Sequence, residues 1–291
     1  MKYLNTKYPS LFDGTNGGNN ISINNTYNLI YINNATSVQS CIKNTSATSL
    51  YIKFTWAPAY SSTAFVAILD IKTSGSTYRL SENTTQLQLK NNSTNTVLWS
   101  DNVPSIANSP TNGLHSRDLF LHIDTTLDVI EVYSNSIKYC SVSGGLSGET
   151  INEVDFGRLT SSPYYTAYLG QIIVSDTAFP VNETITEISP TITSTDWTIS
   201  SGVASTDSVG GSMTLTAPSG AVDETTRTVT GYGVAFLGST PSDTVNAINV
   251  TQGGNTKQVI LPSGATETAD TFTVTQLSDI SATAVSAYVP Q

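Results

Sequence analysis

Few residues in this 291-residue chain could do chemistry, and they fall into small groups. The only two histidines lie in the stretch His115-Ser116-Arg117-Asp118 … His122. A Ser/His/Asp relay can be drawn from it, but a relay needs three side chains that meet in space. Neighbours on one strand point to alternate faces. The group therefore reads as structural, with His115 and Arg117 in a loop before a strand and His122 facing solvent or the polar side of the other strand. Asp70, Asp101, Asp124 and Asp128 fall near expected strand ends, where hard carboxylate oxygens would suit Ca²⁺, although no DxDxDG loop is present. Cys41 and Cys140 are the only cysteines; a disulfide and two free thiols both fit, and without a CxxC pair no zinc site is expected. Tyr60, Trp99, Tyr164, Tyr165 and Tyr168 fall in or near expected loops. Exposed rings there could stack on pyranose faces, and they would equally suit a protein interface. Trp56 and Trp197 read as core. There is no Gly-x-Ser-x-Gly elbow, and the Gly14–Gly18 stretch lacks the Lys and following helix of a phosphate loop.

The elements that must position these residues are strands. Gln86 to Leu89, Ser212 to Thr216 and Thr271 to Thr275 alternate polar and apolar residues. Leu119, Leu121 and Ile123 share one face of a run whose other face carries Phe120, His122 and Asp124. Ala64 to Leu69 is apolar on both faces, as suits a strand inside a sandwich. Asp13-Gly14, Asn16-Gly17-Gly18, Ser74-Gly75, Asn112-Gly113, Gly144-Gly145 and Gly253-Gly254 punctuate the runs as turns. No amphipathic helix is evident. The class predicted is all-β, a sandwich of many short strands.

Charged residues make up only 12% of the chain, and 38% is hydrophobic, enough for a packed core. The net charge of −10 is uneven. Residues 1–180 hold 10 basic and 12 acidic side chains, and residues 181–291 hold 2 and 10. No basic patch could neutralise phosphates, so a nucleic-acid partner is not expected. No apolar run is long enough for a spanning helix, so no membrane partner is expected either. The opening MKYLNTKYPS carries no apolar signal stretch. Tyrosine thins out beyond residue 180, asparagine is dense only in the first 112 residues, and Phe179-Pro180 and Ser189-Pro190 bracket a break. The expected organisation is a domain at 1–180, a linker at 181–189 and a smaller, acidic, immunoglobulin-like sandwich at 190–291.

The first domain resembles the concanavalin A-like, laminin G-like jelly roll. Ser10-Leu11-Phe12-Asp13-Gly14-Thr15 resembles its opening strand, and Leu50 to Pro58, with Trp56, resembles its second. The runs at 64–71, 78–80 and 87–89 resemble the paired strands that come next. Leu119 to Asp124, then Val129 to Tyr133 and Ser134-Asn135-Ser136, resemble the strand, turn, strand element, with Ser136 where that element has Gly. Phe156-Gly157 and Tyr168 to Asp176 resemble the closing strands.

What the resemblance implies is fold first, and function only through particular residues. Lectin and laminin G-like domains bind Ca²⁺ through loop carboxylates, which makes the four aspartates calcium candidates; no other cofactor is implied. Laminarinase-type glycosidases of this fold carry Glu-x-Asp-x-(x)-Glu on one strand. Here Glu153-Val154-Asp155 matches the first two carboxylates, and Gly157 and Arg158 stand at the two places for the second Glu. One carboxylate cannot fill both roles, so no enzyme is expected. The pair reads as solvent-facing, beside a turn at Gly157. Modules of this kind in an Asn/Ser/Thr-rich chain look like bacteriophage virion proteins. The expectation is therefore a non-enzymatic virion component, a head fibre, tail fibre, decoration or tail appendage. Its partners would be other virion proteins and further copies of itself. The alternative is a carbohydrate-binding module or receptor-binding tip that recognises host surface glycans through loop aromatics.

Overall fold

A computed structural model of the chain describes residues 2–5, 12–16, 21–24, 29–33, 38–59, 64–102, 116–160, 166–178, 183–188 and 191–200. Beyond 200 it describes residue 226 and the strands named below. Every regular element among these residues is a strand, in keeping with the alternation of the sequence. None is a helix long and apolar enough to cross a membrane. The chain divides into two compact units, 1–185 and 186–291.

The first unit contains β1 (Lys2–Asn5), β2 (Gly14–Asn16), β3 (Ile21–Asn24), β4 (Leu29–Ile32), β5 (Gln39–Ala47), β6 (Ser49–Ala59), β7 (Val66–Thr73) and β8 (Thr77–Glu82). It continues with β9 (Gln86–Asn91), β10 (Thr96–Asn102), β11 (Arg117–Asp124), β12 (Val129–Ser134), β13 (Ile137–Val142), β14 (Ile151–Arg158) and β15 (Thr166–Ser175). They form two antiparallel sheets packed as a jelly-roll sandwich. Sheet A runs β13-β12-β11-β6-β15-β4-β3, and sheet B runs β10-β9-β8-β7-β14-β5-β2. β15 carries a bulge at Gln171, whose φ is 50°. Its first half pairs with β4 and its second half with β1.

Period-2 alternation explains the core. On β6, Leu50, Ile52, Phe54 and Trp56 point inward, and each is fully buried. Leu119, Leu121 and Ile123 join them from β11, and Val154 and Phe156 face them from β14. Phe54 and Phe156 meet edge-on across the sandwich, with ring centroids 5.5 Å apart. Each fully buried side chain of this size contributes about 1.5–3 kcal/mol by leaving water. A bulge between Ala67 and Leu69 turns both Ile68 and Leu69 into this core, so β7 is apolar without strict alternation. Asn135 (φ 47°) and Ser136 (φ 66°) form the two-residue turn between β12 and β13, the left-handed geometry that hairpins favour.

Two expectations change. Trp56 is core, but Trp197 is only half-buried. Gly157 is not a turn: β14 runs through it to Arg158, and Gly157 takes φ 129° within the strand.

The second unit contains β16 (Thr191–Thr193), β17 (Thr198–Ser200), β18 (Val203–Ser205), β19 (Ser212–Thr216), β20 (Tyr232–Leu237), β21 (Thr244–Gln252), β22 (Asn255–Leu261), β23 (Glu267–Phe272) and β24 (Ile280–Tyr288). Among the described residues these form a sheet β16-β19-β24-β21-β22 and the pairs β17-β18 and β20-β23.

Candidate functional site on the outer face of sheet A

The residues that alternate with the core on β6, β11 and β12 face outward and meet in rows. The register sets His122 opposite Tyr51 on one side and Glu131 on the other, and it sets Phe120 opposite Lys53 and Tyr133. The Tyr51 ring lies flat on the His122 imidazole, with centroids 4.3 Å apart and planes 7° from parallel. Phe120 meets Tyr133 edge-on at 4.9 Å. His122 reaches both neighbours: Nδ1 lies 3.2 Å from Glu131 Oε2, and Nε2 lies 3.3 Å from Ser49 Oγ. Tyr133 donates to Glu131 Oε2 at 3.1 Å, and Lys138 donates to Oε1 at 2.5 Å. Burial alone would raise the Glu131 carboxyl, but hydrogen bonds from Lys138, His122 and Tyr133 more than offset it and hold it below its ordinary range.

A second aromatic pair lies farther along the same face. Tyr31 on β4 and Tyr168 on β15 are register partners, with ring centroids 5.4 Å apart, and both are half-buried. Tyr31 Oη donates to Asn33 Oδ1 at 3.2 Å. Between the two aromatic groups along β6, Lys53 is buried. Its Nζ donates to the Glu183 carbonyl at 2.5 Å and lies 3.4 Å from Asp118 Oδ2. The Ile185 amide donates to Gln171 Oε1 at 3.0 Å, so this stretch is tied to the face at two points.

The residues singled out in the sequence fall differently. Tyr168 is on this face, but within a strand rather than a loop. Trp99 is also on a strand, β10. It packs on the core and lies 6.3 Å from Tyr139 of β13, where it helps close the sandwich edge. Tyr60, Tyr164, Tyr165 and His115 lie outside the described residues. Tyr31, Tyr51, Phe120 and Tyr133 were not singled out. Their signal is alternation with core residues, which shows that they face outward but not which of them meet.

Among the described residues, no three His, Cys, Asp or Glu side chains come together as metal ligands. The four calcium candidates serve separate local ends. Asp70 is mid-strand and buried, gripped by Arg79 through Nε (2.8 Å) and Nη2 (2.6 Å). Asp101 is exposed and accepts from the Asn102 amide. Asp124 Oδ1 accepts from the amides of Thr126 and Leu127, shaping the turn after β11. Asp128 accepts from the amides of Leu146 and Gly144 and from the Ser143 hydroxyl. The Leu146 bond above all holds Asp128 below its ordinary range.

Arg117 is a further correction. It begins β11 rather than sitting in a loop, and its side chain is buried, with Nε 3.8 Å from Glu82 Oε2. Glu82 Oε1 accepts from Trp56 Nε1 at 2.6 Å. Among the described residues of 115–122 no relay forms: Asp118 accepts from Thr55 Oγ1 at 2.6 Å, and His122 turns to Ser49 and Glu131 of neighbouring strands. Cys41 and Cys140 are free and buried, and burial raises the thiols to about 12 and about 11, making both poor nucleophiles.

Sheet B carries its own charged row. The register sets Asp155 of β14 opposite Asp70 of β7, and Lys72 pairs with both Glu153 and Asp155, the latter at 2.8 Å. Glu153 and Asp155 do share a face, but the pair is not solvent-facing, because Asp155 is only 5% exposed. Burial pushes the Asp155 carboxyl up to about 6, with Lys72 opposing and Glu153 reinforcing the rise. An acid whose pKa is raised by folding binds its proton more tightly in the folded state, so its contribution to stability falls as pH rises through that range. Asp155→Asn removes this dependence. Between about pH 5 and about pH 7, urea midpoints should therefore shift in favour of the variant relative to wild type. A flat difference, or one favouring wild type as pH rises, would refute the raised value.

No known protein family and no curated protein matches the chain. Solved structures do. The cellulose-induced protein Cip1 aligns at 15% identity and a TM-score of 0.41, covering 60% of this chain and 91% of its own. A galectin-like protein of unknown function from Bacillus subtilis aligns at 9% and 0.40, covering 54% of this chain and 86% of its own. A botulinum neurotoxin type C structure, described by the dependence of cell entry on two ganglioside molecules, aligns at 8% and 0.47, covering 89% and 72%. At these identities and scores the likenesses assign no activity to this chain.

Proposed function

We propose that the first unit is a carbohydrate-binding module whose platform is the outer face of sheet A. The observation that carries this reading is the Tyr31–Tyr168 pair: two half-buried rings on adjacent strands, with Asn33 beside them as a polar partner. Rings held in this way offer flat apolar area to a sugar face at small entropic cost, and neighbouring amides can meet its hydroxyls. By analogy with stacked bases, each lost ring should weaken binding by about 1–3 kcal/mol. Tyr31→Ala and Tyr168→Ala should each lower affinity for a glycan found on a bacterial surface-polysaccharide array, with the thermal midpoint of the protein unchanged. Equal affinity in both variants and wild type, or no glycan bound at all, would overturn the reading.

The setting is a second proposal and rests on the sequence resemblance: the module is displayed on a bacteriophage particle, as a homo-oligomer beside other virion proteins, with the acidic second unit as an immunoglobulin-like partner domain. Its solution mass by light scattering tests the oligomer, and a monomer that does not bind particles lacking it would remove this setting.

A further inference from the structure

Three side chains on the outer face of sheet A form a relay that no sequence motif announces. Ser49, His122 and Glu131 come from three adjacent strands, β6, β11 and β12. Ser49 Oγ lies 3.3 Å from His122 Nε2, and His122 Nδ1 lies 3.2 Å from Glu131 Oε2. The register holds them there. His122 is directly opposite Glu131, and Ser49 is two residues from Tyr51, its partner on the other side.

The order of atoms decides what the relay can do. An ionised carboxylate only accepts, so in the neutral imidazole the proton sits on Nδ1, toward Glu131. Nε2 then presents its lone pair to the Ser49 hydroxyl, the tautomer that a general base requires. The remaining contacts hold this arrangement still. Tyr51 stacks flat on the imidazole, while Tyr133 and Lys138 fix the Glu131 carboxylate. Ser49 is half-buried, and the His122 and Glu131 side chains are 11% and 17% exposed, so the group is sheltered without being fully closed off.

We propose that Ser49, His122 and Glu131 form a nucleophilic site that cleaves carboxylic esters by acyl transfer. Ser49 Oγ bonds to the ester carbonyl carbon while its proton passes to His122 Nε2. The carbon–alkoxy bond then breaks, and the leaving alkoxide takes that proton as an alcohol. Water attacks the acyl-serine and gives its proton to Nε2, the acid departs, and the proton returns to Ser49. Ser49 and His122 touch the reacting atoms; Glu131 is a positioning residue. The activity goes beyond carbohydrate binding and does not rest on it. General-base assistance alone supports an acceleration of about 10²–10⁴-fold.

The test uses the full chain with a fluorophosphonate probe and with p-nitrophenyl acetate. The expected result is covalent label on Ser49, located by peptide mass spectrometry. Labelling and p-nitrophenol release should both drop at least tenfold in Ser49→Ala and His122→Gln. Glu131→Gln should lower kcat with KM for p-nitrophenyl acetate unchanged, a split that a merely structural role would not produce. Thermal midpoints check that each variant is folded, and an unfolded variant leaves the wild-type label to decide. No label on wild-type Ser49, or equal labelling in folded His122→Gln, would overturn the proposal.

Discussion

Glu82→Ala is expected to cost about 3–5 kcal/mol of folding stability, the loss typical of breaking a buried ion pair from one side. Glu82 is the last residue of β8 and is 1% exposed. It points into the sandwich with Tyr78 and Leu80, among apolar neighbours that cannot take over its role. Its carboxylate is shared: one oxygen accepts from the Trp56 indole at 2.6 Å, and the other faces Arg117 Nε at 3.8 Å. Trp56 is fully buried and Arg117 is 4% exposed, so neither is positioned to trade this acceptor for bulk water. Alanine would take away the acceptor and leave a cavity as well. Glu82→Gln separates the two terms. It keeps an acceptor for the indole while removing the charge, and should cost less, about 1–3 kcal/mol. Guanidinium denaturation measures both, and a loss below about 1 kcal/mol for alanine would show that the pair contributes little.

Gly157→Ala should cost about 2–4 kcal/mol, from backbone strain and overpacking together. Its φ of 129° is a conformation that side-chain-bearing residues rarely adopt. A Cβ there would lie 2.6 Å from the Gln39 carbonyl oxygen and 3.2 Å from Ile32 Cδ1. The isoleucine methyl could give way, but the oxygen belongs to β5, the ladder neighbour of β14, and cannot shift alone. Gly145 is the control. Its φ is also positive, at 73°, but nothing lies within 4 Å of an added Cβ. Gly145→Ala should therefore lose only the left-handed penalty, roughly 1–2 kcal/mol. Equal losses at the two positions would mean that the close approach to Gln39 is not a constraint.

Much of the fold was legible along the chain. The alternation of Leu119, Leu121 and Ile123 with Phe120, His122 and Asp124 located β11 and divided its faces as the structure does. The same reasoning placed Glu153 and Asp155 on one face. The misreadings share a cause. Glycine commonly marks a turn, yet Gly157 serves a close approach between two strands. Nothing local to Arg117 points to its place in a strand, because its partner Glu82 lies 35 positions earlier.

By itself, then, the sequence determined that this protein is built of strands, and which side of many strands is apolar. Those properties follow from the two-residue period of the extended chain and from the cost of leaving apolar surface in water. Only the tertiary structure decided which outward-facing residues meet. Ser49 and His122 are 73 positions apart, and Tyr31 and Tyr168 belong to strands far apart in the chain. Their meeting depends on strand order and register, and register is a relation between strands that no single strand's residues encode.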